Sequence, residues 1–238
     1  ARADRVLTVS EFTKARIGEL LGLAEETKTR VVLHGAEHLP SPKLRQAGLP
    51  ASSSDEAERD PATLLYVGNH LPHKNLPFLM EALGILSKSH PSFRLELTGG
   101  RSRHTAAVER AARRFGVAAR LAWLGALDDA GLLDAYRRAT LLVHPSFYEG
   151  FGFSVLEAMR QGLPVLSTDG ASIPEVAGEA CILLSPKNAE AWARTIAALL
   201  TDPARRREMS RKGTLRAARF TWKAAAEKTL AVYQEVME

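Results

Sequence analysis

The residue pattern predicts an α/β fold built on a doubly wound parallel sheet. From Ala62 onward, short runs rich in leucine and valine alternate with longer amphipathic helical patterns. Parallel strands joined by crossover helices impose that rhythm. Glycines also follow three of the apolar runs, at Gly68, at Gly99 and Gly100 after Thr98, and at Gly125. In such a sheet the carboxyl ends of the strands line one cleft, and ligands bind at that edge.

The chain opens with a strand over 5–9, a helix over 11–23 with Ser10 as its N-cap, and a strand over 29–33. One strand-helix-strand unit cannot bury both faces of a sheet. Residues 1–39 are therefore read as the end of another domain, packed on something outside this chain. Residues 40–61 are rich in Pro, Ser, Gly and acidic side chains without an apolar period, and are read as a linker. Residues 62–238 form the main domain. Its strands are expected at 64–67, 93–97, 121–124, 141–143, 164–167 and 181–184. Helices are expected at 76–88, 105–115, 128–138 and 155–161, with a short one after Pro174, then at 189–200, 203–218 and 222–236. Asp128 and Asp129 put negative charge where the third of these begins, as the helix dipole favours.

Composition excludes several classes. The chain has 238 residues, 45% apolar and 25% charged, with a formal charge of +5, an ordinary globular profile. Its single cysteine, Cys181, lies in an apolar run and reads as a small buried hydrophobe. One cysteine permits neither an internal disulfide nor a cysteine-based zinc site, which fits a reducing compartment. No apolar run reaches the roughly 20 residues of a membrane span, and the first residues lack a signal-peptide pattern. A cytoplasmic location follows, at most peripheral at the inner face of a membrane. The basic cluster at Arg205, Arg206, Arg207, Arg211, Lys212, Arg216 and Arg219 reads as a solvated helix face. Few aromatics interleave with it, so nucleic acid is not an expected partner.

The stretch 145–162, PSFYEGFGFSVLEAMRQG, is the functional focus. Glu149 and Glu157 are separated by seven residues, with the turn Gly150-Phe151-Gly152-Phe153 between them. A strand that breaks at Pro145 and enters a helix near Ser154 leaves unpaired amides at a helix N-terminus, which favour an anion. A second reading stands beside this one: Ser154-Val155-Leu156-Glu157 is also a capping box. Glu149 caps nothing obvious. Lys74 precedes a helix whose expected N-cap is Asn75, a placement that suits a phosphate, although a solvated loop lysine reads the same way. The run Thr98-Gly99-Gly100-Arg101-Ser102-Arg103 is again strand, glycines, helix, without a full G-x-G-x-x-G. A ligand with two phosphates and two sugar rings would use every part. Lys74 and the amides would meet the diphosphate, one carboxylate a ribose diol, and the other the hydroxyls of a hexose.

The segments YVGNHLPHKNL, LTGG, WLGALDD and HPSFYEGFGFSVLEAMRQGLPVLSTDGASIPEVAGEA, in that order, closely resemble the donor-binding half of retaining GT-B-fold glycosyltransferases of family four, the group 1 type. The resemblance runs from about Leu64 to the C-terminus. The opening TVSEFTKARI and VVLHG resemble the last strand-helix-strand of the acceptor half. It implies a Rossmann-like domain in which Glu149 binds the donor hexose and Lys74 meets the departing diphosphate, these two being the catalytic pair. Glu157 would bind the ribose, and the amides of Gly150, Phe151, Gly152 and Phe153 would approach sugar and diphosphate. Gly68, Asn69, Gly99, Gly100, Arg103, Leu124, Gly125 and Ser154 would complete the donor site. Many members carry Arg where this chain has Asn69, which leaves Lys74 as the main cation unless Arg101 or Arg103 substitutes.

The resemblance further implies a nucleotide-diphosphate sugar as substrate and neither metal nor cofactor. The VGN and PHKN wording favours GDP- over UDP-sugars and a mannosyl-like hexose. A saccharide or lipid-linked acceptor would bind an N-terminal half that this chain lacks, and helix 222–236, with Trp222 and Tyr233, would cross back to it. The isolated chain is then expected to bind donor but transfer poorly. Three other readings stay open: a non-catalytic or split-enzyme subunit needing a partner chain, a sugar-nucleotide epimerase, and a phosphorylase, although no motif supplies the last with a pyridoxal lysine. His73 is left without a role, and His144, at a strand end beside Pro145, stays open between packing and ligand contact.

Overall fold

Strand β3 (Thr63–Tyr66) is buried at all four positions and forms part of the centre of a six-stranded sheet. The computed structural model describes residues 3–21, 28–40 and 62–237. The other strands of this sheet are β4 (Arg94–Thr98), β5 (Leu121–Gly125), β6 (Leu141–His144), β7 (Val165–Thr168) and β8 (Ile182–Leu184). All pair in parallel, in the order β5-β4-β3-β6-β7-β8. The expected doubly wound sheet is therefore present. Its order reverses between β3 and β6, where Leu64 lies beside Leu141 and Leu65 beside Leu142. At such a switch point the loops leaving the two strands diverge and open a crevice.

Helices cover both faces. Strand side chains alternate in direction, so Leu64, Tyr66, Leu141, Val143 and Leu166 enter one core and Leu65, Leu142 and Val165 the other. The first core is closed by α2 (Leu76–Leu86), α3 (Thr105–Arg114) and α7 (Ala189–Thr201), whose Trp192 is fully buried and meets Phe78 edge-on at 5.7 Å. The second is closed by α4 (Asp129–Arg138), α5 (Phe153–Arg160), α6 (Ile173–Ala177) and α8 (Pro203–Ala217). Each leucine removed from water this way contributes about 1.5–3 kcal/mol, which is why strands with two buried faces read as continuous apolar runs.

The N-terminal residues form a separate two-stranded parallel sheet of β1 (Val6–Thr8) and β2 (Thr29–Val31), with α1 (Glu11–Leu21) between them in sequence. Part of this unit's support comes from within the chain. The last helix, α9 (Trp222–Met237), returns to it, and Glu235 pairs with both Arg5 and Arg30. At the other end of α9 the Glu37 carboxylate accepts from the Trp222 amide at 2.9 Å. The expected linker lies, apart from Pro40, outside the described residues, as do the last two residues expected in the first helix. Among the described residues no helix is long and apolar enough to cross a membrane.

Candidate functional site at the sheet switch point

Lys74 and Glu149 leave the two strands that flank the switch point, and they meet. Lys74 Nζ donates to Glu149 Oε1 at 2.6 Å, with side chains only 15% and 12% exposed. A short 3₁₀ turn, Pro72–Lys74, delivers the lysine. The Phe147 amide donates to the His73 carbonyl at 2.8 Å and ties the two loops together. Asn75 opens α2 as expected but not by capping it: it adopts a left-handed conformation, and its side-chain amide donates to the Pro186 carbonyl at 3.1 Å. Asparagine is among the few residues that tolerate that backbone region.

His144, left open by the sequence, belongs to the same set. It is buried at the end of β6, and its Nε2 lies 3.0 Å from Glu149 Oε1 while Nδ1 lies 2.9 Å from Ser167 Oγ. An ionised carboxylate only accepts, so Nε2 carries a proton. Burial pushes the Glu149 carboxyl up; His144 and then Lys74 outweigh this and bring it down to about 2. A depressed carboxyl pKa stabilises the fold at pH values above the unfolded-state value, and that contribution is lost as pH falls toward about 2. The shift from an ordinary carboxyl is worth on the order of 3 kcal/mol. Urea unfolding at pH 5 and at pH 2.5 is therefore expected to show a smaller loss of stability for Glu149→Gln than for the wild type; equal losses would place the acid sensitivity elsewhere.

Beyond Glu149 the loop turns into α5 through Gly152, at φ 103°. That backbone conformation favours glycine, and a Cβ there would lie 2.6 Å from Ile173 Cδ1, which would have to shift. This turn starts the helix at Phe153, ahead of the expected Val155, and corrects the capping-box reading. Ser154 sits inside the first turn and Gly152 is the N-cap, with no side-chain cap bond. The Glu157 carboxylate instead accepts from the buried Tyr136 hydroxyl at 2.7 Å and lies 3.1 Å from His38 Nε2. Burial, and then Glu157 beside it, push the Tyr136 phenol well above its ordinary value. Glu157 thus belongs to a hydrogen-bonded set different from that of Glu149 and Lys74, although both sets lie on one loop-helix element.

The carbonyls and amides of this loop are divided. The Glu149 carbonyl accepts from Ser172 Oγ at 2.9 Å, and the Gly150 carbonyl accepts from Ser10 Oγ at 2.7 Å and Thr13 Oγ1 at 3.2 Å. Among the described residues, the amides of Gly150, Phe151, Gly152, Phe153 and Ser154 have no acceptor. Five consecutive donors beside a lysine make a site for oxygen-rich, anionic ligands. Phe151 is buried, whereas Phe153 is exposed and stacks on His34 at 5.1 Å.

The remaining candidates line the adjoining loops. Gly68 donates its amide to Thr98 Oγ1 at 3.2 Å, and exposed Asn69 accepts from the Leu71 amide at 3.3 Å. Gly99, at φ 98°, packs so close that a Cβ would lie 2.2 Å from the Gly68 carbonyl oxygen, and its amide donates to the Gly125 carbonyl at 2.7 Å. These contacts join the ends of β3, β4 and β5. Gly100 is exposed, and Leu124 is half-buried on β5. Arg101 pairs with Glu109 at 2.8 Å and lies over Trp123, while Arg103 is exposed beside His104. Neither arginine joins Lys74. Cys181 is partly buried against the second core, and burial pushes its thiol up to about 12.

His38, Tyr136, Ser172, Ser10 and Thr13 were not singled out for this site from the sequence. Tyr136 reads as a core aromatic on a helix, and the others are separated from their partners by many residues, so no local spacing announces them.

Comparison with known proteins gives the family. Residues 51–216 match the family model of glycosyl transferases group 1. The chain is similar to O-antigen chain mannosyltransferase B of Escherichia coli, 29% identical over 248 residues, covering 98% of this chain and 61% of that protein. It is also similar to the D-inositol 3-phosphate glycosyltransferase of Segniliparus rotundus, 31% identical over 244 residues, covering 100% of this chain and 53% of that one. It thus spans little more than half the length of these relatives. Among solved structures, sucrose-phosphate synthase from Thermosynechococcus elongatus superposes with a TM-score of 0.81 at 26% identity, over 99% of this chain and 59% of that one. With most of its length matched by the family model, this chain belongs to the group 1 glycosyl transferases.

Proposed function

We propose that this chain is the donor-binding half of a retaining glycosyltransferase, holding a nucleoside-diphosphate sugar at the switch point of its sheet. The observation that carries the reading is the Lys74–Glu149 pair set beside five loop and helix amides that have no acceptor among the described residues. When the bond from the sugar to the diphosphate breaks, the electron pair leaves on the diphosphate. A cation and oriented amides at that point stabilise the developing charge. Lys74 turns from Glu149 to the diphosphate, and Glu149, released, accepts hydrogen bonds from hexose hydroxyls. Glu157 binds the ribose diol: half-exposed His38 gives way, while buried Tyr136 stays and fixes the carboxylate.

Gly68, Asn69, Gly99, Gly100, Arg103, Leu124 and Gly125 line the nucleoside side, with no metal and no cofactor. GDP-sugars are favoured over UDP-sugars, and a mannosyl-like hexose over others; the mannosyltransferase among the relatives supports this. The acceptor, a saccharide or lipid-linked sugar, binds residues beyond this chain, in keeping with the 53–61% of its relatives that it spans. Calorimetric titration of the isolated chain with GDP-mannose, UDP-glucose and the free nucleotides is expected to show binding with negligible turnover. No heat with any of them at millimolar ligand would refute the donor assignment, and robust transfer by the chain alone would refute the half-site reading.

A further inference from the structure

The loop that carries Glu149 is held by side chains distant in sequence. Ser10, fully buried, and Thr13 stand at the first turn of α1, and both hydroxyls point at the carbonyl of Gly150. Ser10 Oγ also accepts from the Thr13 amide at 3.0 Å, so the cap of α1 and the grip on the loop are one arrangement. The start of α1 is itself anchored from the far side of the loop. The Glu175 carboxylate, on α6, accepts from the amides of Glu11 and Phe12, each at 2.9 Å. Phe12 meets Tyr148 edge-on at 5.2 Å, one residue before Glu149.

These contacts fix which way two peptide planes face. Among the described residues there is no cis peptide, so each carbonyl points opposite to the amide that follows it. Ser172 holds the Glu149 carbonyl, and Ser10 with Thr13 hold that of Gly150. The amides of Gly150 and Phe151 are thereby turned the other way. A Gly-Phe-Gly loop has little conformational resistance of its own, because glycine accepts dihedral angles on both sides of φ zero. If the plane after Gly150 rotated, a carbonyl oxygen would replace an amide N–H on the ligand side, and oxygen would face the oxygens of a sugar or phosphate.

We infer that Ser10 and Thr13 are positioning residues for the donor: by holding the Gly150 carbonyl they keep the loop amides facing the sugar–diphosphate end. This deepens the proposed function and rests on it. The latch acts on the sugar end and not on the nucleoside, whose loops after β3, β4 and β5 it does not touch. In the Ser10→Ala/Thr13→Val variant both hydroxyls are gone, while Glu175 still holds the start of α1.

The test compares wild type, that double variant and Thr13→Ser, which keeps the hydroxyl. In this chain, affinities for free nucleoside diphosphate and for its sugar conjugate are measured side by side. In the protein at full natural length, kcat and KM for transfer are measured. The double variant is expected to bind free nucleoside diphosphate as the wild type does, to lose about tenfold or more of its affinity for the sugar conjugate, and to lose on the order of 10²-fold in kcat, as when one transition-state donor is removed. Thr13→Ser is expected to keep both at the wild-type level. Equal losses for nucleotide and conjugate, together with a lowered melting temperature, would show a merely structural role and overturn the latch, as would wild-type behaviour in every measurement. Failure of the wild type to bind nucleoside diphosphate would instead overturn the donor reading beneath it.

Discussion

Glu149→Gln is expected to abolish sugar transfer by the full-length protein, by at least 10²–10³-fold in kcat, on the scale of a removed electrostatic contact to the reacting centre. Gln keeps the shape but not the charge, so it cannot accept from vicinal hydroxyls as a carboxylate does. Because Glu149 is the common partner of Lys74 and His144, the same change also costs stability. Leaving a buried lysine without its counter-charge costs about 3–5 kcal/mol. The two effects separate by binding. Lys74, no longer held by Glu149, remains available to a diphosphate, so affinity for free nucleoside diphosphate is retained or improved while transfer collapses. Circular dichroism below the melting transition checks that the variant is folded. Transfer within tenfold of wild type would remove Glu149 from the reaction.

Lys74→Ala is expected to weaken binding of nucleoside diphosphate by about 1.5–3 kcal/mol, the scale of a hydrogen bond to a charged group, or roughly 10- to 150-fold in Kd. The loss has two parts. The diphosphate forfeits its cation, and Glu149, left with His144 as its remaining hydrogen-bond partner, presents negative charge to an incoming anion. Binding of the nucleoside without phosphates is the internal control and is expected to stay the same. If nucleoside and nucleoside diphosphate weaken together, Lys74 shapes the pocket and does not serve the phosphates.

The sheet was legible because strands buried on both faces leave continuous apolar runs, and because glycines mark where β3, β4 and β5 end. Lys74 and Glu149 were legible for a related reason: they stand on loops leaving adjacent strands, and the switch-point rule brings such loops together. What stayed hidden was tertiary. Ser154 looked like a cap until the left-handed turn at Gly152 carried the helix start past it. Asn75 kept its place at the start of α2 but spent its side chain on Pro186, 111 residues away. The partners of Glu157 come from α4 and from His38, a separation that no periodicity encodes. The pairs that tie the last helix to the N-terminal unit join residues more than 200 positions apart, so no local spacing announces them.

That returning helix ties its own final turn to the unit built on β1 and β2. Glu235 is the shared counter-ion of Arg5 and Arg30, 230 and 205 residues away. Proteolytic trimming after Gln234 would remove the carboxylate that Arg5 and Arg30 share. Loss of the end of α9 is then expected to loosen the unit of β1, α1 and β2.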